Sequence, residues 1–144
     1  MRYLICMKNI TVLLEILSFS MEEEAMNSLT FKTFKVKHRA WKTRLKDFLE
    51  GKGGLTEEQA ISHKDCSLGK WMYAEGLRHY STIPEMKTLE KVHINLHDIV
   101  KNIVSLKNEG KAAEADAEYL KIGPISDKII SLLTVIEKEV ATLQ

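Results

Sequence analysis

The sequence predicts an all-α protein, an antiparallel four-helix-type bundle with additional short helices. Apolar residues recur at steps of three and four over long stretches, and no stretch alternates with period two for long enough to form a strand. Only 7 glycines and 2 prolines interrupt 144 residues, which favours long helices over many short strands. With 44% hydrophobic and 28% charged residues, a chain of this length is expected to fold around one core.

The first 28 residues are predicted to form an N-terminal extension, disordered or partly helical, and residues 29–144 to form the domain. Arg2 and Lys8 accompany an apolar stretch, but Glu15 lies inside that stretch and no small-residue cleavage site follows it. The stretch is too short and too charged to span a hydrocarbon layer of about 30 Å. We therefore expect neither secretion nor a membrane span.

The charge balance and the cysteine content exclude several classes of protein. Lys and Arg total 21 against 20 Asp and Glu, so the net charge of +1 gives no reason to expect nucleic acid as a partner. A row of basic residues from Lys32 to Lys46 on the first helix is interpreted as a solvated face. Two cysteines, Cys6 and Cys66, are too few for a disulfide framework, which favours a reducing, cytoplasmic location.

The first half of the predicted domain contains one long helix and two short ones. The long helix begins near Phe31 and ends at the glycine-rich segment 51–54; its apolar face comprises Phe34, His38, Trp41, Leu45 and Phe48. A capping box at residues 56–59 predicts a short helix. Asp65 is the expected N-cap of another short helix, from Cys66 to about Glu75, which Gly76 is expected to end.

The second half contains the clearest helical patterns. A helix is predicted from Pro84 to about Asn108, ended by Gly110, with buried positions at Leu89, His93, Leu96, Val100 and Ile103. A further helix is predicted over residues 112–122, followed by a break or kink at Gly123 and Pro124. The last helix has an apolar stripe composed of Ile125, Ile129, Leu132, Leu133, Ile136, Val140 and Leu143.

Imidazoles on the apolar faces of two different helices predict a metal site. His93 and His97 lie four residues apart, so their rings project from adjacent turns and can converge on one ion. Cys66 at a helix N-terminus is expected to have a lowered thiol pKa, which favours the thiolate as a further ligand. Nitrogen and sulfur donors together select Zn²⁺. Chemistry and spacing do not separate His38 from His63 as the remaining ligand, whereas His79 beside Tyr80 is expected to be solvent-exposed.

An ordered set of short motifs resembles the chemoreceptor zinc-binding domain family. The motifs are His38-x-x-Trp41, Cys66-x-Leu68-Gly69-x-Trp71 and His93-x-x-x-His97. The resemblance extends over about residues 31–143. It implies a zinc site in the bundle core with His38, Cys66, His93 and His97 as ligands, Cys66 as the movable, oxidisable ligand and His63 as a bystander.

The same resemblance implies a cytoplasmic homodimer that regulates chemotaxis or cyclic-di-GMP signalling. Three histidines and one cysteine complete the coordination of zinc, so we do not expect an enzyme. With no room for an output module, a signal is expected to pass to a separate protein. The alternative is a structural zinc protein that acts as an interaction scaffold. Around the site, Leu68, Gly69 and Trp71 are expected to shape the thiolate cavity, and Trp41 to pack beside His38. As an alternative to capping the helix, Asp65 accepts a hydrogen bond from a ligand imidazole, and the sequence does not separate these two roles.

Overall fold

Helices form all the regular structure in a computed structural model that describes residues 2–53, 55 and 62–143. In chain order they are α1 (Arg2–Leu49), α2 (Ser67–Trp71), a π-helical turn (Met72–Gly76), α3 (Leu77–His79), α4 (Pro84–Asn108), α5 (Ala112–Tyr119) and α6 (Ile122–Thr142). No strand occurs in these described ranges, so the all-α prediction is confirmed. The capping box predicted at residues 56–59 lies outside them.

Contacts between the helices define an antiparallel four-helix-type bundle. Lys35 forms an ion pair with Glu137, and the hydroxyl of Tyr119, just before α6, donates to the carbonyl of Lys42, so α1 runs antiparallel to α6. The Lys107 ammonium donates to the Leu49 carbonyl at 2.6 Å, which places the C-terminal ends of α4 and α1 together. The segment from α2 to α3, interrupted by the π-helical turn, packs against α1 through Trp71 on Phe31 and Phe34, and Gly76 lies beside Met86 of α4.

The apolar faces of α4 and α6 pack together as their patterns predict. All five positions of α4 that were expected to be buried are buried: Leu89, His93, Leu96, Val100 and Ile103. The stripe of α6 is shorter than predicted: Ile125 is half-buried and Leu143 is exposed, since the helix ends at Thr142. Helix α5 ends at Tyr119, and Pro124 lies in the first turn of α6, where its missing N–H leaves no helical bond unmade.

Helix α1 is much longer than the predicted first helix. It runs without interruption from Arg2 across residue 28, and it ends before Gly51, whose φ of 73° suits glycine. Its C-terminal part is packed, with Phe31, Phe34 and Leu45 buried, whereas Leu13 is exposed. One helix crosses residue 28, so the division of the chain into an extension (residues 1–28) and a domain (residues 29–144) stays a prediction.

Two predicted helix boundaries near Cys66 are wrong. Cys66 itself, and not Asp65, is the N-cap of α2, because its sulfur accepts the N–H of Gly69 at 3.3 Å. Gly76 does not end the helix, which continues through the π-helical turn into α3. Instead Gly76 is buried where a Cβ would lie 2.9 Å from the side chains of both Trp71 and Met86, so close packing requires glycine there.

Candidate metal centre

Three of the predicted ligands converge in the interior of the bundle. One donor atom each from Cys66, His93 and His97 lie within 4.8 Å of one another. The Cys66 Sγ is 3.2 Å from His93 Nε2, against about 3.6 Å for a sulfur and a nitrogen on one tetrahedral zinc. The rings of His93 and His97 have centroids 4.7 Å apart, close to the about 5 Å of two imidazoles that share such an ion.

Two different elements position these three side chains. His93 and His97 lie one turn apart on α4 and are only 2% and 4% exposed. Cys66 is half-buried at the N-terminal end of the five-residue helix α2. The two histidine ligands are therefore supported by a helix of 25 residues, and the sulfur by a helix of five residues.

His38, on α1, lines the same cavity without belonging to this close group of three. The cavity measures about 60 Å³; its walls comprise Phe34, Lys37, His38, Trp41, Cys66, Ser67, Leu68, His93, Leu96 and His97. Among the described residues, His38 Nε2 and His93 Nδ1 are buried and have no hydrogen-bond partner. Because buried polar atoms are normally satisfied, the unpartnered Nε2 of His38 in this cavity fits a metal ligand.

Burial favours the neutral form of His38 and His93, which is the form that binds metals. Burial first, and then the charge of His97, lowers the pKa of His38 to about 4. Burial, with the charges of His97, His38 and His63, lowers the pKa of His93 to about 3. At neutral pH no proton has to leave these rings before a metal binds.

The sequence-based expectation for the Cys66 thiol is wrong for the metal-free site. Burial raises the pKa of Cys66, and the backbone N–H groups of Gly69 and Leu68 oppose this effect without overcoming it. The helix N-terminus therefore contributes as expected, but desolvation of the thiolate is larger. Zinc binding must then displace the thiol proton, which couples affinity to pH.

Gly69 shapes the site because the backbone of His63 and Lys64 packs directly against it. A Cβ on Gly69 would lie 1.8 Å from the carbonyl oxygen of His63. That carbonyl also accepts the Cys66 thiol at 3.8 Å, and the Gly69 N–H donates to the sulfur. Gly69 therefore contacts both the His63 carbonyl and the Cys66 sulfur, at the two ends of the turn that positions Cys66. The buried Leu68 lines the cavity beside this turn.

The two tryptophans and Asp65 lie at different distances from the three converging ligands. Trp41 packs its ring on His97, with centroids 5.7 Å apart. Trp71 packs against Phe31 and Phe34, each at 5.3 Å, and so belongs to the aromatic core and does not line the thiolate cavity. Asp65 is exposed and lines an outer groove beside Cys66.

The remaining histidines differ in their distance from the site. His63 is half-buried, with its ring centroid 6.3 Å from that of His97 and 5.8 Å from that of Tyr73. His79 is exposed beside Tyr80 and Arg78, as expected. Sequence spacing placed His63 among the candidate ligands, but only the structure brings its ring near the buried pair.

The donor set and a comparison of families identify the domain. Nitrogen and sulfur donors in this number and spacing suit zinc, and zinc is the cofactor of this site. Among the described residues, no helix is long and apolar enough to cross a bilayer. No curated protein and no solved structure shows significant similarity to the chain. Residues 38–104 match the profile of the chemoreceptor zinc-binding domain, which supports the assignment of this segment to that family.

Proposed function

We propose that this protein is a zinc-binding regulatory domain of bacterial signal transduction, of the chemotaxis or cyclic-di-GMP type, and not an enzyme. The observation that carries the proposal is the convergence of Cys66, His93 and His97 in a buried cavity that His38 also lines. These four side chains hold one Zn²⁺ and complete its coordination. A complete donor set leaves no position for an activated water, which argues against hydrolysis.

The sensing element of this proposal is Cys66. Its side chain lines both the inner cavity and an outer groove of about 680 Å³, whereas His93 and His97 are buried. Lys37 and Arg44 line the same groove, which favours the approach of small anions and polar oxidants. The sulfur is therefore the ligand that solutes reach first.

Two stimuli act on this ligand: zinc availability and oxidation of the zinc-bound thiolate. Hypochlorous acid oxidises the sulfur by two electrons: the thiolate and HOCl give a sulfenic acid and chloride. A sulfenic acid is a poorer zinc ligand than a thiolate. Loss of the metal–sulfur bond frees the start of α2, and the change is passed to a separate signalling protein.

The ligand set is tested by metal analysis of purified variants. We expect one zinc per chain in the wild type, and its loss in His38→Ala, His93→Ala and His97→Ala, because each removes one of four donors. The matched controls His63→Ala and His79→Ala are expected to retain zinc. Retention of zinc by His38→Ala together with its loss from His63→Ala would overturn the ligand assignment.

Chelation separates a sensor from a structural zinc protein. The apolar core of α4 and α6 forms without contribution from the metal ligands, through residues such as Leu89, Val100 and Leu133. We therefore expect the far-ultraviolet circular dichroism to stay helical after zinc is removed. Unfolding on chelation would instead identify the structural alternative, in which the metal holds the bundle together.

The proposal includes a homodimer, supported by the exposed apolar side chains on the N-terminal half of α1. Leu13, Leu14 and Ile16 are 57%, 60% and 59% exposed. Burying such side chains contributes about 1.5–3 kcal/mol each, so a second copy of the chain is a favourable partner. By light scattering we expect a dimer that the triple variant Leu13→Glu, Leu14→Glu, Ile16→Glu converts to a monomer.

Leu120, 76% exposed between α5 and α6, provides the matched control for this measurement. Leu120→Glu is expected to leave the dimer intact, because it introduces one glutamate charge elsewhere on the surface. A monomeric wild-type chain, or a dimer that persists in the triple variant, would refute this role of α1.

A further inference from the structure

We propose that His63 is a reserve zinc ligand, which takes the place of Cys66 on the metal when the thiolate is lost. The inference rests on the proposed zinc-binding function and adds a second coordination state to the same site. In the first state the donors are His38, Cys66, His93 and His97. In the second state the donor set consists of imidazoles alone, and the metal stays bound.

The distance between His63 and the buried pair is the first support. The His63 ring centroid is 6.3 Å from that of His97, and the two planes meet at 64°. Two imidazoles on one tetrahedral zinc have centroids about 5 Å apart. The His63 ring is therefore about 1.3 Å farther from the His97 ring than two ligands of one zinc are, so the exchange requires the His63 ring to move and to turn a nitrogen toward the metal.

Contacts of its backbone and of its ring keep His63 at this distance when the zinc–sulfur bond breaks. The His63 carbonyl packs on Gly69, where it would lie 1.8 Å from a Cβ. The ring itself rests against Tyr73, whose other neighbour is the Lys64 ammonium, 5.3 Å from the ring centroid. His63 is therefore held beside the site by contacts that do not depend on a metal–sulfur bond.

Charge and coordination number explain why the two ligands alternate. While Cys66 is bound, four donors complete the coordination of zinc and the thiolate neutralises part of its charge. Loss of the thiolate opens one position, and a neutral imidazole fills it without adding a negative charge. Affinity falls, but the zinc is retained, so the response to loss of the thiolate is a ligand exchange that rearranges residues 63–66.

Zinc affinities of four chains test the exchange: the wild type, His63→Ala, Cys66→Ala and the double variant. We expect His63→Ala to bind zinc as the wild type does, because its ring is not used while Cys66 is present. Cys66→Ala is expected to bind zinc more weakly. The double variant should lose about another tenfold or more in affinity, whereas His79→Ala on the Cys66→Ala background, the matched control, should lose nothing further.

A spectroscopic measurement makes the test specific to the ring. In nitrogen-15 imidazole spectra, a His63 nitrogen should move to a metal-bound shift in the zinc form of Cys66→Ala and not in the wild-type zinc form. Hypochlorite-treated wild type provides the same comparison if Cys66→Ala folds poorly. Equal zinc affinities for Cys66→Ala with and without His63, and an unshifted His63 ring, would overturn the reserve ligand. A wild type that binds no zinc would refute the proposed function first, and the exchange with it.

Discussion

Replacing Gly69 with alanine is expected to destabilise the domain and to weaken its zinc affinity at the same time. The new Cβ would lie 1.8 Å from the His63 carbonyl oxygen and 2.8 Å from its carbonyl carbon, so the backbone of one segment must move. Overpacking of this kind costs about 3 kcal/mol of unfolding free energy. Urea denaturation of the metal-free protein measures this loss.

The effect on zinc follows from the same displacement. The Gly69 N–H donates to the Cys66 sulfur, so a shift of either segment misplaces the thiolate and removes a supporting hydrogen bond. Loss of such an outer contact typically costs about 10–100-fold in metal affinity. Competition with a chelator of known affinity measures the change in Gly69→Ala.

Gly123→Ala is the matched control for Gly69→Ala. A Cβ on Gly123 would meet only the Lys42 ammonium nitrogen, at an ordinary 3.6 Å. We expect its unfolding free energy to stay within about 1 kcal/mol of the wild type and its zinc affinity to be unchanged. Equal behaviour of the two variants would contradict the role assigned to the His63 carbonyl.

Acidification is expected to destabilise the metal-free domain well before its carboxylates titrate. Burial lowers the folded-state pKa of His93 to about 3 and that of His38 to about 4, from an ordinary value of 6.5. Below pH 6.5 the unfolded chain therefore binds protons that the folded chain excludes, and stability falls as the pH falls toward the folded values. At pH 5 the loss is about 2 kcal/mol for one histidine and about 2–4 kcal/mol for the coupled pair.

Urea denaturation of chelator-treated protein at pH 7 and pH 5 measures this dependence. His93→Gln should reduce it, because the glutamine amide does not titrate in this range. The control His79→Gln changes an exposed ring and should leave the dependence as in the wild type. A stability that is the same at both pH values in the wild type would show that neither imidazole is buried in its neutral form.

The helices could be predicted from local sequence because their determinants are local. The 3.6-residue pattern and Pro84 defined α4, and the pair His93 and His97 followed from a spacing of four residues on that helix. The prediction failed where packing decides the outcome. Gly76 suggests a helix end by its residue type, but it is there because Trp71 and Met86 pack against its Cα.

The electrostatics of the site could be predicted only in part. A helix N-terminus at Cys66 was recognised correctly, and its backbone N–H groups do favour the thiolate. The sign of the thiol pKa shift was wrong, because it depends on how completely the surrounding helices exclude water. That quantity is a property of the assembled bundle and is not encoded in any short motif.

The sequence by itself determined the all-α class, the order of the helices, and the ligand types that select zinc, since periodicity, spacing and donor chemistry act over a few residues. Tertiary structure alone decided which side chains meet: Cys66 beside His93, Trp41 on His97, and the His63 carbonyl over Gly69. The physical reason is that two of these contacts join segments that are far apart along the chain, and the third depends on the path of the turn between His63 and Gly69. Their distances depend on how whole helices pack, which no local pattern specifies.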